Sequence, residues 1–208
     1  NAEVQRPKLV VGIVVDQLRT DYIEYLQNLF GEKGFRKLMK DGVYLRDVDF
    51  GIDNLDIANA TSIIYTGAYP ASSGVTGLKV FDPATRQMLP ALYDNASIGN
   101  YTNDTYSPAP LRLSTISDEL AIEGDGFNGI YAIAPEAQQA IIMAGHAGNS
   151  AFWLNENTGQ WATTTYYKDV PSPIGSRNYG QSVASRIDGM AWKPLRDIES
   201  YPGLPVHK

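Results

Sequence analysis

The stretch KLVVGIVVDQLRTDYIEYL, residues 8–26, decides the predicted fold. Its residues 9–15 are all apolar or glycine and stop at Asp16, which is typical of a parallel strand that is covered on both faces. Apolar residues then recur at helical spacing as far as Phe30, and Gly31 stands where that helix would end. A carboxylate at the end of such a strand lies where ligands gather in α/β proteins, although a turn or capping role is the plainer alternative.

The rest of the chain continues to alternate between helices and strands. Periodicity and end signals predict further helices over 35–42, 57–66, 113–122 and from Pro135 through Gln139. Ser114 or Ser117 would cap the helix over 113–122. Extended patterns predict strands over 43–50 and 129–134, and Asn157-Thr158-Gly159 predicts a hairpin within 151–167. From residue 170 onward the proline-rich sequence predicts loops.

These elements predict an α/β fold with a mostly parallel sheet flanked by helices. We expect residues 1–208 to form a single domain, with residues 79–170 including a loop and hairpin insertion beside the presumptive site. That region is rich in Pro, Asn, Asp, Ser and Tyr, which favours an excursion from the sheet.

Composition excludes several classes of function. The 208 residues carry a net charge of -6 and contain no cysteine, so disulfides, thiolate catalysis and cysteine-based zinc sites are ruled out. The absence of a Lys/Arg cluster argues against nucleic-acid binding, which needs a basic face. No apolar run approaches the roughly 20 residues that cross a bilayer, so no membrane span is predicted.

Five motifs occur in one order along the chain, in residues 7–22, 34–42, 60–67, 69–77 and 144–147. Together they resemble the N-terminal half of the alkaline phosphatase superfamily, in particular its type I phosphodiesterase/nucleotide pyrophosphatase-like branch and the secreted bacterial phosphate-irrepressible alkaline phosphatases. The resemblance implies a phosphoric ester hydrolase that acts on small phosphoesters with two zinc ions. It further implies that Asp16 is a zinc ligand, and that the chain is secreted or periplasmic with its signal peptide removed.

The positions that handle phosphate in this family carry unusual residues here. The nucleophile position, normally Thr or Ser, falls on Asp56 if one residue is inserted and on Ile57 otherwise. Thr61 and Ser62 fall on the following helix, where capping or packing is expected. An Asn expected after Gly77 is replaced by Leu78 and Lys79, and a Lys and an Arg expected two residues apart are replaced by Glu136 and Gln138.

The resemblance also implies more zinc ligands than this sequence offers. Its two histidines are His146, in a Gly/Ala-rich loop where it is expected to satisfy backbone groups, and His207 near the end. We therefore expect a homologue that is catalytically degenerate, or an incomplete N-terminal portion that is inactive as this chain. An exposed sheet edge would then be covered by a second copy of the chain, in a homodimer, or by a missing C-terminal half.

Two other functions stay open at this stage. One is an active zinc-dependent phosphomonoesterase or phosphodiesterase that uses Asp56 as nucleophile when the C-terminal half is present. The other is a carbohydrate- or peptide-binding module, since the chain contains thirteen tyrosines and three tryptophans. An exposed row including Trp153 and Trp161 would favour that second alternative.

Overall fold

The computed structural model describes residues 7–124, 129–168, 170–180 and 183–201. The chain divides into two compact units. One contains the residues up to Asp49 together with those from Lys193, and the other is Phe50–Trp192. Within the described residues, no helix is both long enough and apolar enough to cross a membrane.

Helices and short strands alternate along the described residues. The α-helices are α1 Thr20–Leu26, α2 Phe35–Asp41, α3 Ile57–Thr66, α4 Pro70–Ser73, α5 Ile116–Glu123, α6 Ala137–Ala144, α7 Ser172–Tyr179 and α8 Val183–Ile187. The strands are β1 Lys79–Asp82, β2 Gln87–Pro90, β3 Gly99–Asn100, β4 Tyr131–Ile133, β5 Ser150–Asn155 and β6 Gln160–Thr164. Two 3₁₀ turns, Gln27–Leu29 and Ile198–Ser200, complete the set.

The unit Phe50–Trp192 contains a four-stranded sheet in the order β3-β6-β5-β4. Strands β4 and β5 are parallel, with Ala132 opposite Ala151, whereas the other two pairs are antiparallel. The α/β class is as predicted, but the sheet is mixed rather than mostly parallel. Strands β1 and β2 form a separate antiparallel hairpin, inside the region that was predicted to leave the sheet.

The core of this unit forms around α6. Every residue of α6 except Met143 is buried, as expected for a helix that is covered on all sides. Its alanines allow close contact with α3 and β5. Ile141, Ile142, Leu92 and Trp153 supply the largest buried apolar side chains.

Several local predictions are confirmed. Helices α1, α2 and α3 lie where their apolar spacing placed them, and α3 ends at Gly67, which takes the left-handed conformation with φ 66°. The hairpin of β5 and β6 turns at Gly159, whose φ is also 66°. Both glycines adopt a backbone conformation that other residues rarely adopt.

The two strands predicted in the first unit are wrong. Residues 9–15 form no strand, and their apolar side chains are exposed: Leu9 by 78% and Ile13 by 79%. Residues 43–50 are likewise not in a strand. A strand requires a neighbouring backbone to complete its hydrogen bonds, and no described segment pairs with either stretch.

Three other predictions also need correction. Helix α5 begins one turn later than predicted, and Thr115 caps it rather than Ser114 or Ser117. Helix α6 begins after Pro135 and runs beyond Gln139. The segment after residue 170 contains α7 and α8 instead of loops alone, because proline is tolerated within the first turn of a helix.

Candidate functional site

Asp56, which falls at the predicted nucleophile position, is the N-cap of α3. Its Oδ1 accepts hydrogen bonds from the backbone N–H groups of Ala58 and Asn59, both at 3.0 Å. The Asn59 side chain in turn accepts from the Asp56 N–H at 2.8 Å, which completes a capping box. The Asp56 Oδ2 accepts from the Leu78 N–H at 2.7 Å. Both carboxylate oxygens are therefore bound to backbone donors.

The turn before Leu78 lies against this carboxylate. A Cβ added to Gly77 would lie 3.0 Å from the Asp56 Oδ2, so a side chain at that position would crowd the cap. The Asn59 side chain also donates to the carbonyls of Asn54, at 2.9 Å, and Thr76, at 3.2 Å. The turn formed by residues 74–77, Gly-Val-Thr-Gly, is thus fixed to the start of α3 by hydrogen bonds.

Gln138, which replaces an expected base, is buried and bound to backbone on both sides of its amide. Its Nε2 donates to the Leu78 carbonyl at 3.0 Å, and its Oε1 accepts from the Leu92 N–H at 3.0 Å. The structure therefore brings together three of the positions that the sequence singled out, namely Asp56, Leu78 and Gln138. It joins them by hydrogen bonds that leave no free polar group on the Gln138 side chain directed at a ligand.

Glu136, which replaces the other expected base, is the N-cap of α6. Its carboxylate accepts from the Gln139 N–H at 2.7 Å. Burial raises the pKa of Glu136, although hydrogen bonds from the backbone of Gln139 and Gln138 act in the opposite direction. Glu136 is therefore part of a helix cap, at a position where the family resemblance predicts a cation.

A cleft of about 290 Å³ opens beside Glu136. Three of its lining side chains are acidic: Asp104, Glu136 and Glu156. Burial, followed by the negative charges of Asp104 and Glu136, raises the pKa of Tyr106 to about 12. A phosphate dianion in contact with one of these carboxylates would be repelled by about 2–8 kcal/mol, depending on exposure.

The hydroxyls of Thr61 and Ser62, which follow Asp56 along the chain, are buried within α3. Thr61 is buried, and its Oγ1 donates to the Ile57 carbonyl at 2.6 Å within α3. Ser62 is fully buried, and its hydroxyl has no hydrogen-bond partner among the described residues. Both lie inside the helix, as predicted for capping or packing residues.

His146 lies just after α6 and binds one side chain and one backbone carbonyl. Its Nδ1 lies 3.0 Å from the Asp118 Oδ2, and its Nε2 lies 2.9 Å from the Leu111 carbonyl oxygen. The expected backbone contact is therefore present, but Asp118 was missed by sequence reasoning. The spacing of Thr115 and Asp118, three residues apart ahead of an apolar helix, is the capping-box signal that would have found it.

The remaining predicted residues contribute little to a site. Asp16 is exposed in the first unit, where the Gln17 side chain donates to its Oδ2 at 3.3 Å. His207 lies outside the described residues. Trp153 is buried with its indole N–H bound to Asp104, and Trp161 lies on the opposite face of the hairpin, so the exposed aromatic row that would favour a sugar-binding surface is not seen there.

The residues that the structure describes do not fit a zinc site. A zinc ion in a protein is held by three or four His, Cys, Asp or Glu side chains. No group of three such residues is close enough to hold a metal within the described part of the chain. Zinc binding by Asp16 therefore stays a prediction that needs ligands from beyond these residues.

Known proteins resemble this chain along almost its whole length. A calcium-transporting ATPase from Myroides odoratus is 34% identical over 203 residues, which cover 96% of this chain and 37% of the relative. Alkaline phosphatase PhoV from Synechococcus elongatus and alkaline phosphatase PafA from Elizabethkingia meningoseptica are each 30% identical, over 95% of this chain and 36% and 37% of their own lengths. The chain thus spans little more than a third of these relatives.

Solved structures show the same similarity in three dimensions. The crystal structure of wild-type PafA matches with a TM-score of 0.86 and 29% identity, covering 96% of this chain and 39% of PafA. A PafA variant in which a threonine, an asparagine, a lysine and an arginine are replaced matches with a TM-score of 0.85 and 30% identity. The predicted alkaline phosphatase-like α/β fold is confirmed, and the match lies in the N-terminal portion of that fold.

The family profile described as type I phosphodiesterase / nucleotide pyrophosphatase matches residues 10–202. This range includes Asp16, Asp56, Gln138 and His146, which are the described residues of the candidate site that the sequence singled out. The chain belongs to the type I phosphodiesterase / nucleotide pyrophosphatase family of the alkaline phosphatase superfamily.

Proposed function

We propose that this chain is an alkaline phosphatase-superfamily homologue whose phosphate-handling positions have become structural, so that the chain alone does not hydrolyse phosphoesters. One observation carries this proposal: Asp56 and Gln138, at two of those positions, are both hydrogen-bonded to the backbone of Leu78, at a third. A nucleophile needs a lone pair that is free to approach phosphorus. The Asp56 oxygens accept three backbone N–H groups, which occupy most of the roughly four lone pairs of the carboxylate.

The charge of the neighbouring cleft supports the same proposal. Phosphate recognition relies on cations or on donor groups aimed at the phosphoryl oxygens. Here the side chains of Asp104, Glu136 and Glu156 line the cleft. The four residue types replaced in the PafA variant, Thr, Asn, Lys and Arg, are the types that the family resemblance expects here, and this chain carries none of them at the corresponding positions.

Turnover measurements test this proposal directly. We expect the purified chain with added zinc to hydrolyse neither p-nitrophenyl phosphate nor bis(p-nitrophenyl) phosphate faster than a zinc-only blank. Asp56→Asn is the matched variant, since Asn also serves as an N-cap but lacks the carboxylate. Zinc-dependent turnover that disappears in Asp56→Asn would overturn the proposal.

A second candidate function is favoured by the exposed apolar segment 9–15. This segment is rich in Val and Ile and makes no ladder hydrogen bond to any described residue, so it is suited to pairing with another strand. In this alternative, polypeptide equivalent to the rest of the relatives' length supplies the strand partner and the remaining metal ligands. The complete assembly is then an active phosphomonoesterase or phosphodiesterase that takes small phosphoesters in a secreted or periplasmic setting.

Complementation separates the two candidates. The portion of PafA outside the matched stretch is added as a separate polypeptide, with zinc, and both turnover and hydrogen exchange of residues 9–15 are measured. Protection of residues 9–15 without turnover supports the structural proposal. Protection together with turnover that Asp56→Asn abolishes supports the second candidate, and protection that instead depends on the concentration of the chain alone indicates a homodimer.

A further inference from the structure

The loop after α6 and the segment before α5 are joined through the ring of His146. One ring nitrogen lies 3.0 Å from the Asp118 carboxylate and the other lies 2.9 Å from the Leu111 carbonyl oxygen. A carboxylate and a carbonyl can only accept hydrogen bonds. Both ring nitrogens must therefore carry a proton, which makes His146 a cationic imidazolium in this geometry.

The surroundings of the ring favour that charge. Asp118 is buried, with a side chain only 7% exposed, and His146 provides the positive charge opposite it. Asp118 lies in the first turn of α5 and His146 follows the last turn of α6, so each charge also lies at the helix end whose dipole stabilises it. The Asp118 Oδ1 additionally accepts from the Ala147 N–H at 2.8 Å.

The backbone approaches this pair closely because residue 145 is a glycine. Gly145 has a φ of 69°, and a Cβ there would lie 2.7 Å from the Asp118 Oδ1 and in steric conflict with Thr115. Tyr166 donates its hydroxyl to the His146 carbonyl at 2.9 Å. The backbone of the loop that carries His146 is thus bound to Asp118 through Ala147 and to Tyr166 through the His146 carbonyl.

Among the described residues, few other ionisable groups lie near the His146–Asp118 pair. Tyr166 and Tyr167 face it from the segment after β6, and burial raises the pKa of both phenols, so they stay neutral well into the alkaline range. Asp94 acts on Tyr166 electrostatically but is bound to Ser107. Asp118 is the charged partner in direct contact with His146.

We propose that His146 is a pH-sensitive clasp: its protonated ring ties the Asp118 carboxylate to the Leu111 carbonyl, and loss of one proton releases the Leu111 side. The Nδ1–H is retained because it faces a carboxylate. The lone pair left on Nε2 then faces the Leu111 carbonyl oxygen, and the two acceptors repel each other. The segment that carries Leu111 is released while the contact with Asp118 persists.

The direction of the pH effect follows from the hydrogen bond to Asp118. That bond raises the pKa of His146 in the folded protein, and burial opposes it. The unfolded value is about 6.5. The stabilisation is therefore fully present below about pH 6.5 and is lost as the pH rises through the higher folded value. Between the two values the ratio of folded to unfolded protein falls by up to about tenfold for each pH unit.

Nitrogen NMR of the imidazole rings tests the protonation state in the intact protein. The chain has two histidines, so the His146 resonances are assigned as those that remain in His207→Gln. We expect both ring nitrogens of His146 to be protonated at neutral pH, with a titration midpoint above the ordinary value of about 6.5, and the Leu111 amide to shift with the same midpoint. One unprotonated ring nitrogen at pH 6, or a midpoint at or below about 6.5, would overturn the proposal.

Urea unfolding as a function of pH tests the energetic consequence. We expect the folded-to-unfolded ratio of the wild type to fall above about pH 6.5, and His146→Gln to lack this fall because glutamine does not titrate. His207→Gln is the matched control and is expected to retain it. Should His146→Gln fail to fold, the ring-nitrogen measurement on the wild type still decides. An unchanged slope in His146→Gln contradicts the proposal.

Discussion

Asp56 and Gln138 bind the two polar backbone groups of the same residue. The Asp56 carboxylate accepts the N–H of Leu78 at 2.7 Å, and the Gln138 amide donates to the Leu78 carbonyl at 3.0 Å. These residues are separated by 22 and 60 positions from Leu78. The beginning of α3, the turn that follows α4 and the beginning of α6 are thereby joined at one point.

Removing the Asp56 carboxylate should destabilise the protein measurably. Asp56→Ala removes an N-cap and leaves the Leu78 N–H without its acceptor, so we expect a loss of about 2 kcal/mol or more in the free energy of unfolding. Urea denaturation monitored by circular dichroism measures the change. Asp188→Ala, at an exposed position, is the control and should change stability by no more than about 0.5 kcal/mol.

The two Leu78 contacts should be energetically coupled. Gln138→Ala leaves the Leu92 N–H without its acceptor and removes one of the two hydrogen bonds to the Leu78 carbonyl, which keeps the bond from the Ala91 N–H, for an expected loss of about 2 kcal/mol or more. Once Asp56→Ala has loosened Leu78, the second substitution should cost less, so the double mutant should be less destabilised than the sum of the single mutants by at least about 0.5 kcal/mol. Simple additivity in the same urea measurements would show that the residues act independently.

Gly145 should be far less tolerant of substitution than Gly175. Gly145→Ala places a Cβ against Asp118 and Thr115 at a positive φ, so we expect a loss of more than about 2 kcal/mol. Gly175 lies within α7, and a Cβ there meets no atom within 4 Å. Gly175→Ala should instead leave stability unchanged or raise it by up to about 1 kcal/mol, because alanine favours the helix. Thermal unfolding of the two variants compares them; equal losses would contradict the close packing around Gly145.

Stability should also fall in acid because of Asp118. Burial favours the neutral carboxyl, but hydrogen bonds from His146, Ala147 and Thr115 outweigh it and hold the pKa of Asp118 below its ordinary value. The resulting stabilisation is present above the unfolded value of about 3.9 and is lost as the pH falls through the lower folded value.

The corresponding measurement is urea unfolding between neutral and acidic pH. Asp118→Asn should be less stable than the wild type at neutral pH and should lack part of the decline seen on acidification. Asp188→Asn is the control and should follow the wild type. If Asp118→Asn shows the full wild-type decline, other carboxylates account for the acid sensitivity.

The sequence predicted those elements whose signals are local. Helix α3 and its stop at Gly67 were predicted from neighbouring residues, as was the hairpin that turns at Gly159. Residues 9–15 have the composition of a buried strand, but strand formation depends on a partner that sequence spacing does not reveal. Their exposure was therefore unpredictable from the segment itself.

The candidate site was predicted only in part, for the same physical reason. The family resemblance identified Asp56, Leu78 and Gln138 as unusual residues, but their hydrogen bonds to one another are long-range contacts. The link between His146 and Asp118 also spans 28 positions. The capping boxes of Asp56 with Asn59 and of Thr115 with Asp118 do have a local signal, but at α5 the neighbouring Ser114 and Ser117 were equally plausible caps.

The hydrogen bonds to the N–H and C=O of Leu78 also constrain how such a chain could change over evolutionary time. A single substitution that placed a hydroxyl at position 56 would remove the acceptor of the Leu78 N–H, and one that placed a base at position 138 would remove the acceptor of the Leu92 N–H. The singly substituted protein would be less stable than the present one before it could bind an anion. Under the proposed function, a gain of phosphate chemistry would therefore require several replacements together, since each single replacement lowers stability first.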